Sequence, residues 1–243
     1  MKHILQTAFI TTLLAFSMPA IAGWEEGIEA YKQHDYATAL KEFKALSKKG
    51  EPRAKYALGL LYQNGQGVTQ DDHKATELFI SAANNGERMA QFRLGELYDD
   101  GLLGLRRDSS QAASWYRKAA DQGHARAQFR IGFIFNAGIG GVKEDHQEAV
   151  HWYRKSAENG LADAQLQLAQ MLFNGDGTDV NYKDAAFWYR KSAEQGNSEA
   201  QYKLAGMLES GMGISRDHNE ADFWRNKASS TVSQPAHQFG VLR

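Results

Sequence analysis

Apolar residues recur along this chain at three- and four-residue spacing, in stretches of about a dozen residues broken by glycine-bearing loops. That is the period of a helix with one buried face. In the first of each pair of stretches an alanine leads by eleven residues to a loop glycine: Ala54 and Gly65, Ala90 and Gly101, Ala127 and Gly138, Ala164 and Gly175, Ala200 and Gly211. Between them a large apolar residue stands beside a small one, as Leu58-Gly59, Leu94-Gly95, Ile131-Gly132, Leu168-Ala169 and Leu204-Ala205. Glycine in mid-helix costs about 1 kcal/mol of propensity, so its recurrence predicts that a neighbouring helix presses close there. In the second stretch an alanine leads by three, on one helical face, to Leu78, Trp115, Trp152, Trp188 or Trp224.

The pattern repeats as a unit. "WYRKSAENG" at Trp152 to Gly160 returns as "WYRKSAEQG" at Trp188 to Gly196, with earlier copies "WYRKAADQG" from Trp115 and "LFISAANNG" from Leu78. The closing glycines, Gly50, Gly86, Gly123, Gly160 and Gly196, lie 36 or 37 residues apart. A period in that range marks a stacked array. Helices of about 12 residues are marginal alone, and stacking buries both of their faces. Asp108 with Gln111, Asp145 with Glu148 and Asp217 with Glu220 have the spacing of reciprocal capping boxes at the second helices.

The pattern breaks only at the two ends. Met1, Lys2 and His3 precede an apolar run from Ile4 to Phe16 and then "AIA" ending at Ala22, which reads as a secretory signal over 1–22 and predicts a periplasmic or secreted protein. No cysteine follows to carry a lipid, and none exists for disulfides. Without Lys2 the balance is 27 basic against 29 acidic residues. It calls for neither nucleic acid nor an anionic membrane, and no later apolar run is long enough to span a bilayer. The tail, 230–243, holds a proline and polar runs without helical period and reads as disordered, with fold-back of Phe239, Val241 and Leu242 as the alternative.

"AQFRLGELYDDG" followed by "QAASWYRKAADQG" resembles the Sel-one-like repeat, a longer-looped relative of the tetratricopeptide repeat. The resemblance covers five units, about 51–86, 87–123, 124–160, 161–196 and 197–229. Residues 23–50 depart from it: Gly27, Ala39 and Phe43 fit a tetratricopeptide-like first helix pair. The resemblance implies an all-α, right-handed superhelical solenoid of six helix pairs. It also implies a non-catalytic scaffold or adapter that engages a protein or peptide, here in the cell envelope. The competing reading is an envelope enzyme or a binder of cell-wall glycan.

Sharper chemistry finds little support. "GIGG" at Gly138 to Gly141 and "GQG" at Gly65 to Gly67 have no preceding strand and recur with the repeat, which favours loop geometry over phosphate binding. "NGDGTDVN" from Asn174 lacks the glycine and glutamate of a calcium loop. Asp72-His73, Asp145-His146 and Asp217-His218 recur every second unit, too far apart to share one zinc. Arg117, Arg154 and Arg190 each have an acid four residues on, Asp121, Glu158 and Glu194, which neutralises a basic stripe. No Ser-x-x-Lys, Gly-x-Ser-x-Gly or His-Glu-x-x-His occurs. The reading therefore assigns no catalytic residue, metal or cofactor.

By analogy with tetratricopeptide-like stacks, the first helix of each pair lines a concave groove. Tyr56, Phe92, Phe129, Leu166 and Tyr202 are then groove aromatics or leucine, with packing between repeats as the competing account. Glu96, Asp99, Phe133, Asn136 and Phe173 are the expected partner contacts, a mixture suited to a peptide with apolar anchors and some positive charge.

Overall fold

The computed structural model describes residues 18–232, and side chains over 23–230. The expected signal segment and tail lie outside these except for residues 18–22 and 230–232, which are helical. Among the described residues there are twelve helices and no strand. The chain divides after Arg106 into two compact units.

The first unit holds α1 (Met18–Lys32), α2 (Tyr36–Lys48), α3 (Pro52–Asn64), α4 (Asp72–Asn84) and α5 (Arg88–Asp100). Each helix packs on the next. Ala39, Phe43, Leu58 and Leu61 form its core at the α2 and α3 junction, with Trp24 and Tyr31 against them. An added Cβ at Gly27 would lie 2.6 Å from the Phe43 ring, and one at Gly59 would lie 2.7 Å from Phe79.

The second unit holds α6 (Ser109–Asp121), α7 (Ala125–Ala137), α8 (His146–Glu158), α9 (Ala162–Asn174), α10 (Tyr182–Glu194), α11 (Ser198–Ser210) and α12 (His218–Val232). One core runs from Ala149 to Trp224, built on Tyr153, Leu168, Tyr189, Leu204 and Leu208. Gly132 meets Tyr153 as Gly59 meets Phe79: a Cβ there would lie 2.7 Å from the ring. The small residue of the repeat therefore seats the aromatic of the second helix in the same pair. At Ala169 and Ala205 the small residue is alanine, fully buried.

The long loops are held by their backbone. The side chain of Asp145 accepts from the amides of Gln147 and Glu148, and its own N–H donates to Phe135 O at 2.9 Å. Asp217 likewise caps Glu220 and donates to Leu208 O at 3.0 Å. At Asp145 and Asp217 only half of the expected capping box forms, because the carbonyl near the end of the first helix takes the amide that the glutamate was expected to satisfy. The second loop glycine answers the phosphate question. A Cβ at Gly67 would lie 2.6 Å from Tyr36 O, and one at Gly140 would lie 2.7 Å from Ser109 O. These loops touch the start of a helix in the preceding pair, and only a glycine lets the backbone come so near.

Buried glutamines tie one pair to the next. Gln91, Gln128, Gln165 and Gln201 donate through Nε2 to the carbonyls of Ala83, Ala120, Ala157 and Ala193, at 3.0–3.2 Å. Asn159 and Gln195 then donate to Oε1 of Gln128 and Gln165 at 2.8 Å. Gln201 Oε1 ends this ladder, buried and without a donor among the described residues.

Candidate functional site

The expected contacts fall in both units. In the first, Glu96 on α5 is held by Arg93 at 3.1 Å, and Asp99 is half-buried a turn later. Phe92 is buried. Tyr56 packs on Phe79 with ring centroids 5.6 Å apart, and burial pushes its phenol up to about 12. Both aromatics act in packing.

In the second unit the groove positions diverge. Phe129 packs on Tyr153 at 5.6 Å, and Leu166 is buried. Tyr202 is 64% exposed. Its counterparts Tyr56 and Phe129 rest on an aromatic of the second helix, but in α12 that place is taken by Arg225, which pairs with Glu209 at 2.6 Å and Asp222 at 2.9 Å. Phe133 is also exposed, at 43%.

A cavity of about 520 Å³ lies along α9 and α11. Two expected contacts, Asn136 and Phe173, line it; Phe133 does not. Phe173 is braced edge-on by Tyr182, with centroids 5.1 Å apart. The wall also includes Tyr202 and Asn174. Gln170, four residues after Leu166, and Gly206, four after Tyr202, stand in it at the place that Phe133 takes four after Phe129. Met171, Tyr189, Lys203 and Met207 join them without having been singled out in the sequence. Burial raises the Tyr189 phenol above its ordinary value, with Glu199 nearby adding to the shift, so it stays neutral and can donate. The methionine in "LAQMLFN" and "LAGMLES" was the available signal, since it follows the small residue by two in both copies.

The charged motifs settle into structural work. His146 Nδ1 is 3.0 Å from Asn136 Oδ1, and its Nε2 is 3.0 Å from Glu144. Among the described residues no three metal-binding side chains cluster. Asn174 donates to Asp176 at 3.1 Å within the expected non-calcium loop. Arg117 pairs with Asp121 at 3.1 Å as its spacing predicts. Arg190 instead reaches Glu220 of the next pair through both of its terminal nitrogens. The arrangement offers apolar surface, amide groups and one lysine: the means to hold a ligand.

These features define a helical-repeat protein of the interaction type. Five successive segments, 52–87, 88–124, 125–161, 162–197 and 198–230, match the Sel1 repeat family, and the chain belongs to it. Sel1 repeats generally serve as scaffolds for protein–protein interaction. Solved structures agree on an all-α solenoid fold. A Sel1 repeat protein from Oxalobacter formigenes is 33% identical with a TM-score of 0.77, covering 84% of each chain. A protective antigen present in uropathogenic Escherichia coli strains, displaying an SLR fold, is 33% identical with a TM-score of 0.79 over 87% of this chain and 46% of its own. Among curated proteins, Chitin synthase regulatory factor 3 of Schizosaccharomyces pombe is 30% identical over 82 residues, which are 34% of this chain and 9% of that protein. An Exopolysaccharide production negative regulator of Rhizobium leguminosarum bv. viciae is 33% identical over 60 residues, 25% of this chain and 22% of that protein. The chain thus matches only a small part of each curated relative.

Proposed function

We propose that this chain is a non-catalytic scaffold or adapter that is exported to the cell envelope and holds a protein or peptide partner on the first helices of its second unit. The observation that carries the reading is the cavity along α9 and α11. Its wall sets amides and an exposed tyrosine over the buried Met171 and Met207. Such a lining suits binding, where a few polar groups orient a ligand held by apolar contact. Export rests on the basic and apolar amino terminus, and no helix among the described residues is long and apolar enough to cross a membrane.

Amide and aromatic groups also suit sugars, so a binder of cell-wall glycan is the reading to separate from this one. The purified chain, immobilised, is exposed to a periplasmic extract and in parallel to purified peptidoglycan. Retention of a defined protein supports the scaffold. Retention of peptidoglycan with no protein partner replaces it with the glycan reading.

A further inference from the structure

Gly206 sits in the middle of α11, where glycine weakens a helix. Other mid-helix glycines are required by packing: a Cβ at Gly59 or Gly132 would strike Phe79 or Tyr153. A Cβ at Gly206 would meet nothing within 4 Å. The fold does not need this glycine. The same groove position holds Phe133 in α7 and Gln170 in α9. At Gly206 the missing side chain keeps the cavity open beside Met171, Met207 and Tyr189.

The polar groups around that opening are already oriented. Asn136 Oδ1 faces His146, Gln170 Nε2 donates to Glu199 at 2.7 Å, and Asn174 Nδ2 donates to Asp176. Each amide is tethered at one end and leaves the other over: an NH2 on Asn136 and a carbonyl oxygen on Gln170 and Asn174. A donor and acceptors fixed in this way match the alternating C=O and N–H of an extended peptide, with little ordering cost on the protein side.

Charge narrows the ligand further. The acids beside the cavity are engaged, Asp176 by Asn174, Glu199 by Gln170 and Glu209 by Arg225. Lys203 on the rim is exposed and has no ion pair or hydrogen bond among the described residues. Asp176 and Glu199 keep their charge in those hydrogen bonds, so Lys203 is the one charged side chain of the lining left without a partner among the described residues. We infer that the α9 and α11 groove takes an extended segment of a partner protein, with a large apolar side chain seated over Gly206 and an acidic residue at Lys203. This inference rests on the scaffold reading and adds the chemistry of the segment bound.

The test uses a phage-displayed library of random nine-residue peptides, panned against the full chain. Selected sequences should pair a Met, Leu or aromatic residue with Asp or Glu within two positions. A synthetic peptide of that sequence should bind Gly206→Leu about tenfold more weakly or worse, as for loss of one central anchor. The variant should meanwhile keep its helix content and melt at the wild-type temperature or a few degrees higher. Lys203→Glu should weaken the same peptide, and exchanging the acid of the peptide for lysine should restore binding. Failure to select any peptide, selected peptides that bind Gly206→Leu as tightly as wild type, or muropeptide binding that Gly206→Leu abolishes would each overturn the inference. If a protein partner from the periplasmic extract is retained equally by wild type and Gly206→Leu, the groove assignment falls while the scaffold reading stands. If no protein partner is retained at all, the scaffold reading itself falls.

Discussion

Placing one methyl group at two different glycines separates close packing from helix propensity. Gly132→Ala puts a Cβ 2.7 Å from Tyr153 Cδ1 and 2.8 Å from Cε1, against the roughly 3.5–4.0 Å at which carbon atoms rest. Tyr153 is 1% exposed and backed by Phe129, so its ring has little room to retreat. Overpacking of this kind costs about 1–3 kcal/mol, and alanine returns about 1 kcal/mol of helix propensity. The net effect is between roughly zero and 2 kcal/mol of destabilisation. Gly206→Ala gains the same propensity and meets no atom within 4 Å, so it should stabilise by about 1 kcal/mol. Because both changes alter the unfolded chain alike, the difference of about 1–3 kcal/mol isolates the steric cost. Urea denaturation followed by circular dichroism at 222 nm reads both midpoints. If Gly132→Ala stabilises as much as Gly206→Ala, close approach of the second helix is not why the repeat keeps a small residue there.

Other expectations follow from single contacts. Trp152 is 2% exposed, with Arg117 and Lys155 over its ring at 4.7 and 4.4 Å, so Trp152→Ala should cost about 3–5 kcal/mol in the same assay. Asp145→Ala removes the side-chain cap but not the Asp145 N–H bond to Phe135, and should cost about 1 kcal/mol. The Arg190 guanidinium, with help from the Trp224 indole N–H, holds the Glu220 carboxyl below its ordinary value despite partial burial. A depressed carboxylate adds stability that is full above its unfolded pKa of about 4.3 and is lost as pH falls through the lower folded value. Glu220→Gln should therefore cost on the order of 1 kcal/mol at pH 7 and progressively less below pH ~4, in urea titrations at the two pH values.

The repeat was legible because its signals are local and periodic. The small residue at Gly59 and Gly132, the aromatic it receives and the loop glycines Gly67 and Gly140 each express one contact that returns with the repeat. What escaped depends on side chains choosing between partners. Glu220 has capping-box spacing, yet it turns to Arg190 and Trp224 while a backbone carbonyl takes the Asp217 amide. Arg190 has an acid four residues on and prefers one in the next pair. Gln91, Gln128, Gln165 and Gln201 are buried, which hydropathy alone does not suggest, because the Nε2 of each donates to a carbonyl eight residues back. Of the expected contacts, Asn136 and Phe173 reach the cavity, while Tyr56, Phe92 and Phe129 pack. Tyr202 stays exposed because Arg225 stands where an aromatic would have received it, a difference visible only when α11 and α12 are read together.

The central claim is that the first helices of the second unit face a protein partner. A photo-crosslinking amino acid at Tyr202, 64% exposed in the groove, and another at Phe187, 51% exposed on α10, give a direct comparison in cells that make the protein. Irradiation followed by mass spectrometry should yield a defined protein adduct from position 202 and none from position 187. An adduct from 187 alone, or none from either, would contradict the account.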